Sequence, residues 1–275
     1  MTDEPTSAPE GSLSLETFAR DIEATAIAMA DAARTITLSL FRSPELSTDN
    51  KLETGFDPVT EADRAAERAM REVLAQRRPL DAIRGEEYGS TPGTSGFTWV
   101  LDPIDGTRAY LSGLPCWGTL IALCSEDGPV HGIIDQPFTG ERWQGGPLVA
   151  RHSSPHGDRD LCSRAPRPIG EAILFSTFPE IGTAQDRARF QRVSEAVRLT
   201  RYGTDCYAYG LLALGQIDLV IEAGLNDYDI CGPIAVIEAA GGIVTNWEGG
   251  PAHKGGRVIA AANDAIHAEA LELLS

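Results

Sequence analysis

Positive charge is what this chain has least of. Against 40 Asp+Glu stand 23 Lys+Arg, only two of them lysines (Lys51 and Lys254), for a formal net charge of -17. Such a balance repels phosphate backbones and anionic lipid surfaces, so neither nucleic acid nor a membrane is expected as a partner. Long apolar runs are also missing: none approaches the roughly 18–20 residues that span a bilayer. The opening MTDEPTSAPEGS is acidic and Pro/Ser-rich where a secretory leader is basic and then apolar, which gives the expectation of a cytoplasmic protein. The five cysteines (Cys116, Cys124, Cys162, Cys206, Cys231) are odd in number and contain no Cys-x-x-Cys. That argues against a disulfide framework. The five histidines show no zinc-ligand spacing.

What is present suits a folded core. The chain has 275 residues, 42% of them hydrophobic and 23% charged, enough for one large domain or two modest ones. Apolar residues recur at helical spacing from Leu13 to about Phe41 (Phe18, Ile22, Ala26, Met29, Ala33, Ile36), and a second helix is expected from Thr60 to Arg77. Residues 1–12 read as a mobile tail. Short strand-like runs follow at 81–85, 98–101, 118–124, 130–135 and 141–144, separated by Gly/Pro/Ser turns. The Pro/Arg/Ser-rich stretch 151–170 is the best internal boundary, dividing an N-terminal half (13–160) from a C-terminal half (161–275). Beyond it strands (172–176, 217–222, 243–247, 258–261) alternate with helices (183–197, 206–214, about 230–240, 263–274), a layered α/β pattern.

The chemistry concentrates in Trp99-Val-Leu-Asp-Pro-Ile-Asp-Gly-Thr-Arg108, an apolar strand running into two carboxylates and a Gly-Thr pair. If the chain turns at Pro103, Asp102, Asp105 and the Ile104 carbonyl face one point, and hard oxygen ligands of that kind suit Mg2+. The segment also reads as a turn whose aspartates cap backbone amides. Upstream, Gly85-Glu86-Glu87 ends a strand, and downstream Asp227-Tyr228-Asp229 precedes an apolar helix that Asp229 is placed to cap. Thr60-Glu61-Ala62-Asp63 approaches a capping box.

Together these four segments, in this order, resemble the inositol monophosphatase superfamily of metal-dependent phosphatases. Its W-x-x-D-P-x-D-G-T is Trp99 to Thr107, and its D-x-V-T-x-x-D is Asp57 to Asp63. The resemblance implies an α-β-α-β-α layered sandwich and two or three Mg2+ ions, replaceable by Mn2+. It assigns Glu86, Asp102 and the Ile104 carbonyl to one ion and Asp102, Asp105 and Asp229 to a second, with a third near Glu86 and Asp63. Glu86, Thr107 and Asp63 are the implied catalytic residues, while Asp105, Gly106 and Thr107 hold the phosphate. Lys51 lies near a family lysine. A homodimer acting on a small phosphorylated metabolite is expected.

Within the superfamily, Asp105 to Ile121, Ile134 to Trp143, Arg201 to Gly210 and Glu222 to Leu225 resemble the histidinol-phosphatase branch. That substrate carries an ammonium and an imidazole that can become cationic, so acidic neighbours suit it. Arg108, Asp205, Glu222 and Asp227 are the implied substrate-binding residues, and an inositol or other polyol phosphatase is the alternative. Pro233 sets one condition on Asp229. It fits a helix only in the first turn, before its missing amide matters.

Overall fold

The computed structural model describes residues 14–50 and 58–275. The 1–12 tail, Lys51 and Asp57 lie outside them. The first half runs α1 (Leu15–Leu40), β1 (Thr48–Asn50), β2 (Pro58–Thr60), α2 (Glu61–Arg77), β3 (Ala82–Gly85), β4 (Gly89–Thr91), β5 (Thr98–Asp105), α3 (Thr107–Leu111), β6 (Gly118–Ser125), β7 (Gly128–Gln136), β8 (Glu141–Gly146), β9 (Val149–Ser153) and β10 (Arg159–Asp160). The second runs β11 (Ile173–Ser176), α4 (Ala184–Ala196), β12 (Leu199–Tyr202), α5 (Tyr207–Ala213), β13 (Leu219–Leu225), α6 (Asp227–Ala239), β14 (Ile243–Asn246), β15 (Gly256–Ala261) and α7 (Asp264–Leu274).

Three apolar cores stack these elements into five layers, the α-β-α-β-α sandwich. On one outer face Ile22, Ala26, Met29 and Ala33 of α1 join Ala66, Met70 and Leu74 of α2. Both helices cover Trp99, Leu101, Ile121 and Ile133 of an eight-stranded sheet ordered β10-β9-β8-β7-β6-β5-β3-β4. Ser14 caps α1 through the Thr17 amide, and Thr60 caps α2. A middle layer of α5 and α6 places Leu212, Ile230, Ile234 and Ile237 between Leu120, Ile134 and Trp143 on that sheet and Val220, Val258 and Ala260 on a five-stranded sheet. That second sheet has the order β12-β11-β13-β15-β14, and its far side is covered by Phe190 and Val193 of α4 and Ile266, Ala270 and Leu274 of α7.

The middle helix α6 is buried continuously from Ile230 to Ile237, as its lack of a polar face requires. It lies directly on the larger sheet because β7 and β8 present glycines to it. A Cβ on Gly132 would sit 2.3 Å from the Gly232 carbonyl oxygen, and one on Gly145 2.3 Å from that of Ala235. Glycine inside a strand marks such a close backbone approach.

Several sequence expectations need correction. The 151–170 stretch is not simply a break: β9 and β10 extend the larger sheet to Asp160. Strand β12 was unforeseen because Leu199, Arg201 and Tyr202 are all exposed on an edge, which leaves no alternation to read. Helix α6 starts at Asp227 rather than about Ile230, with Asn226 as its cap. Pro233 is therefore its seventh residue, not part of the first turn. The amide it lacks is the one that would reach the Asp229 carbonyl, so the proline removes a single bond at the end carrying the site.

Candidate active site

Strands β3 and β5 run parallel with Gly85 opposite Leu101, so Glu86 leaves the sheet beside Asp102. The Glu86 amide donates to the Leu101 carbonyl at 3.2 Å. Between Asp102 and Asp105 the pairing of β5 with β6 shifts register. The Thr119 hydroxyl donates to the Pro103 carbonyl at 2.8 Å, and the Ile104 amide donates to Asp102 Oδ1 at 3.1 Å. This irregularity re-aims the strand end, a common use of bulges beside active sites. Asp229, third residue of α6, approaches from the middle layer. One carboxylate oxygen from each of Asp102, Asp105 and Asp229 lies within 4.8 Å of the others.

Like charges this close resist ionisation. Asp102 is held well above the ordinary carboxylate range by burial and by Glu86, Asp105 and Asp229; Asp105 is raised by burial and by Asp205 and Asp229. Burial, reinforced by Glu86, lifts Asp229 to about 7. Among the described residues no arginine, lysine or histidine is ion-paired with these three. Each carboxylate is fixed through one oxygen: Asp105 Oδ2 accepts the Cys206 amide and Asp229 Oδ2 the Asn226 amide, both at 2.6 Å. A hard divalent cation fits such a donor set.

Asp63 shows the same division. Its Oδ2 accepts the Thr60 amide at 2.8 Å in the capping box, whereas Oδ1 is buried without a partner. Burial, with Glu86 and Glu87 adding repulsion, pushes its carboxyl to about 7. The residue is thus both a cap and a carboxylate oxygen available to a cation. Sequence reasoning missed Glu67, fully buried in α2, which accepts the Glu87 amide at 2.7 Å and the Tyr88 amide at 3.3 Å. It holds the loop carrying Glu86. Its only signal was a charge on the apolar face of α2.

Gly106 joins β5 to α3 with φ 84, and a Cβ there would sit 3.0 Å from the Asp205 side chain. Glycine is required by both the backbone and the space. The Thr107 hydroxyl donates to the Ile104 carbonyl at 3.1 Å. A cavity of about 400 Å3 joins Glu86, Asp105, Thr107 and Asp229 to Arg108, Asp205 and Glu222. Glu222 accepts the Thr177 amide (2.6 Å) and hydroxyl (2.8 Å) and is raised to about 7 by burial; Asp205 is raised to about 6 by burial, opposed by Arg108. Asp205 also holds a left-handed backbone, φ 44, an uncommon conformation that short polar side chains tolerate best. A larger hollow of about 540 Å3 beside α4 shares Ala223 and Gly224 but contains none of the clustered aspartates.

Asp227 does not join this group. It turns to Arg84, Nε to Oδ2 3.1 Å, in a separate cleft with Cys231, His253 and Lys254. One helix residue before Tyr228 and two before Asp229, it leaves α6 in another direction, so its expected place in the substrate pocket is corrected.

The whole arrangement has relatives. A model of the inositol monophosphatase family matches residues 19–275. This chain belongs to the inositol monophosphatase family. Like other members it is a phosphatase, and its layered fold is that of the family. The chain is 39% identical to the bifunctional phosphatase IMPL2 of Arabidopsis thaliana, covering 90% of this chain and 73% of that protein. It is 34% identical to a histidinol-phosphatase of Streptomyces coelicolor, over 90% and 94% of the two chains. An inositol monophosphatase from Zymomonas mobilis superposes with a TM-score of 0.81 at 40% identity, over 93% and 98% of the two chains. No helix among the described residues is long and apolar enough to cross a membrane.

Proposed function

We propose that this family member is a Mg2+-dependent phosphomonoesterase that hydrolyses histidinol phosphate to histidinol and phosphate, as in histidine biosynthesis. The observation that carries the substrate is the pair Asp205 and Glu222 in the cavity of the acidic cluster. Neither belongs to the three-aspartate group, and burial holds both above their ordinary range, which a neighbouring positive charge would offset. An ammonium group supplies that charge.

Asp102, Asp105, Asp229, Glu86 and the Ile104 carbonyl are the residues that would hold two ions, with Asp63 Oδ1 at the edge for a third. When bound, the cations neutralise phosphate charge and lower the pKa of a coordinated water; Mn2+ accepts the same oxygen donors. The chain's own residues do the rest. The Thr107 hydroxyl spends its proton on the Ile104 carbonyl, which leaves its oxygen as an acceptor for a water proton. Glu86, at the strand end beside Asp102, receives a proton from the same water. The amides of Gly106 and Thr107, with Asp105 below them, position the phosphate where α3 begins. Arg108, beside Asp205, faces the ester's other end.

Relatives bearing histidinol-phosphatase names support this substrate, and inositol monophosphatases support a second one. The 40% identity to the Zymomonas inositol monophosphatase favours a polyol reading in which Asp205 and Glu222 accept hydroxyl protons. Phosphate release from histidinol phosphate and inositol 1-phosphate, each with Mg2+ and with EDTA, separates the two. We expect faster turnover of histidinol phosphate and none in EDTA. Faster turnover of inositol 1-phosphate would establish the second reading, and full activity in EDTA would overturn the metal assignment.

A further inference from the structure

We propose that Phe178 is a specificity-determining residue that stacks on the flat ring of the substrate, an inference that rests on the histidinol phosphate reading. Phe178 lies just past the end of β11, in the wall of the cavity that holds Thr107, Asp205 and Asp229. Its side chain belongs to no apolar core and is 44% exposed. An aromatic ring this exposed at a carboxylate-rich site adds nothing to the apolar cores of the fold.

The ring is nonetheless held in place. Thr177, the preceding residue, donates its amide and hydroxyl to Glu222 Oε1 at 2.6 and 2.8 Å. From the other side the Gly203 amide donates to the Ser176 and Thr177 carbonyls at 3.2 and 3.1 Å. The Arg108 guanidinium stacks on the Phe178 ring, 5.1 Å from its centroid. The result is a fixed platform, part apolar and part cationic, beside the carboxylates that suit an ammonium. The cavity's other aromatic, Tyr228, instead carries Arg84 over its ring at 5.8 Å, on the side of the neighbouring cleft.

The chemistry of the candidate substrates separates on this platform. Imidazole is planar, so it can cover the Phe178 ring and withdraw its surface from water, with the offset or edge contacts that aromatic pairs prefer. A polyol offers no such face. Phe178 therefore discriminates by the ring, and Asp205 with Glu222 by the amine.

The test compares histidinol phosphate with O-phosphoethanolamine, which has the amine and the phosphate but no ring. Phe178→Ala should lower kcat/KM for histidinol phosphate about tenfold, mostly through KM, and leave O-phosphoethanolamine within about twofold. Phe178→Trp should stay near the wild type and Phe178→Leu should fall with the alanine variant. An equal loss on both substrates, no loss on either, or full activity of Phe178→Leu would each overturn the proposal. A Mg2+-induced rise in Tm retained by Phe178→Ala shows that the site is still assembled. Wild-type enzyme that does not prefer histidinol phosphate to inositol 1-phosphate defeats the underlying reading, and this proposal with it. Wild-type enzyme that does prefer it, with variants that ignore the ring, defeats this proposal alone.

Discussion

Two sets of buried and half-buried carboxylates in this molecule are treated in opposite ways. Asp135, fully buried on β7, receives two guanidinium groups: Arg34 at 2.6 Å and Arg142 at 2.7 Å. Asp218, equally buried, receives Arg164 at 2.8 Å and Arg167 at 3.3 Å. Asp102, Asp105 and Asp229 receive one another. A chain with so few cations spends four arginines on two structural aspartates and, among its described residues, none on the three that converge. Burying an unpaired charge is costly, so the contrast identifies the second set as built for a positive charge that the polypeptide does not provide.

The sharpest way to break that contrast is to remove one charge from each set. Asp102→Asn should lower turnover at least about 10^3-fold, the scale of losing a transition-state charge stabiliser, yet leave the metal-free protein no less stable, since repulsion is relieved. Asp135→Asn should do the reverse, costing about 3–5 kcal/mol by stranding two partly buried arginines while each folded molecule keeps its activity. Phosphate-release kinetics and denaturant melts on both variants check this; a large stability loss in Asp102→Asn would refute the distinction.

Next in size is the effect of the ion itself. Saturating Mg2+ should stabilise the wild type by about 3 kcal/mol at a hundred times its Kd, and Asp105→Asn should abolish most of that gain; identical shifts in the two proteins would remove Asp105 from the site. The gain should also depend on pH. Asp63 and Asp229, raised in the metal-free fold from 3.8 to about 7, favour folding only while protonated. The metal-free chain therefore loses stability as pH climbs from about 4 to about 7, whereas bound cation favours the anionic forms. The Tm difference between Mg2+ and EDTA should accordingly widen between pH 5 and pH 7.5, and a constant difference would contradict the raised values. The smallest effect is expected at the cap. Thr60→Ala should cost about 1 kcal/mol of stability and shift activity little, because the cap engages only Oδ2 of Asp63 and leaves Oδ1 as it was.

Legibility in the sequence followed the range of the interaction. Helices α1 and α2 were readable because their apolar stripes repeat locally, and β5 because one apolar run leads straight into the two aspartates. The start of α6 was misjudged. Asp229 suits a cap as well as any residue, and only the Asn226 amide, 2.6 Å from its side chain, shows that the cap lies three residues earlier. Asp227 was misplaced because nearness along a helix is not nearness in space. Glu67 and Phe178 carried no motif. One matters through the backbone of a distant loop, the other through a half-exposed ring in the cavity wall.

The sequence by itself determined the donor types: oxygen ligands, no zinc-ligand spacing, a strand-turn-helix carrying two aspartates and a Gly-Thr pair, and a family pattern that follows from them. Those features depend on residues close together in the chain, where backbone geometry leaves few choices. Tertiary structure alone decided that Asp227 turns away from the cluster, that Asp63 keeps one oxygen free of its cap, and that Phe178 joins Asp205 and Glu222 in one cavity. Each of these depends on how segments distant in the chain pack together, and no local rule sets the direction in which a side chain then points.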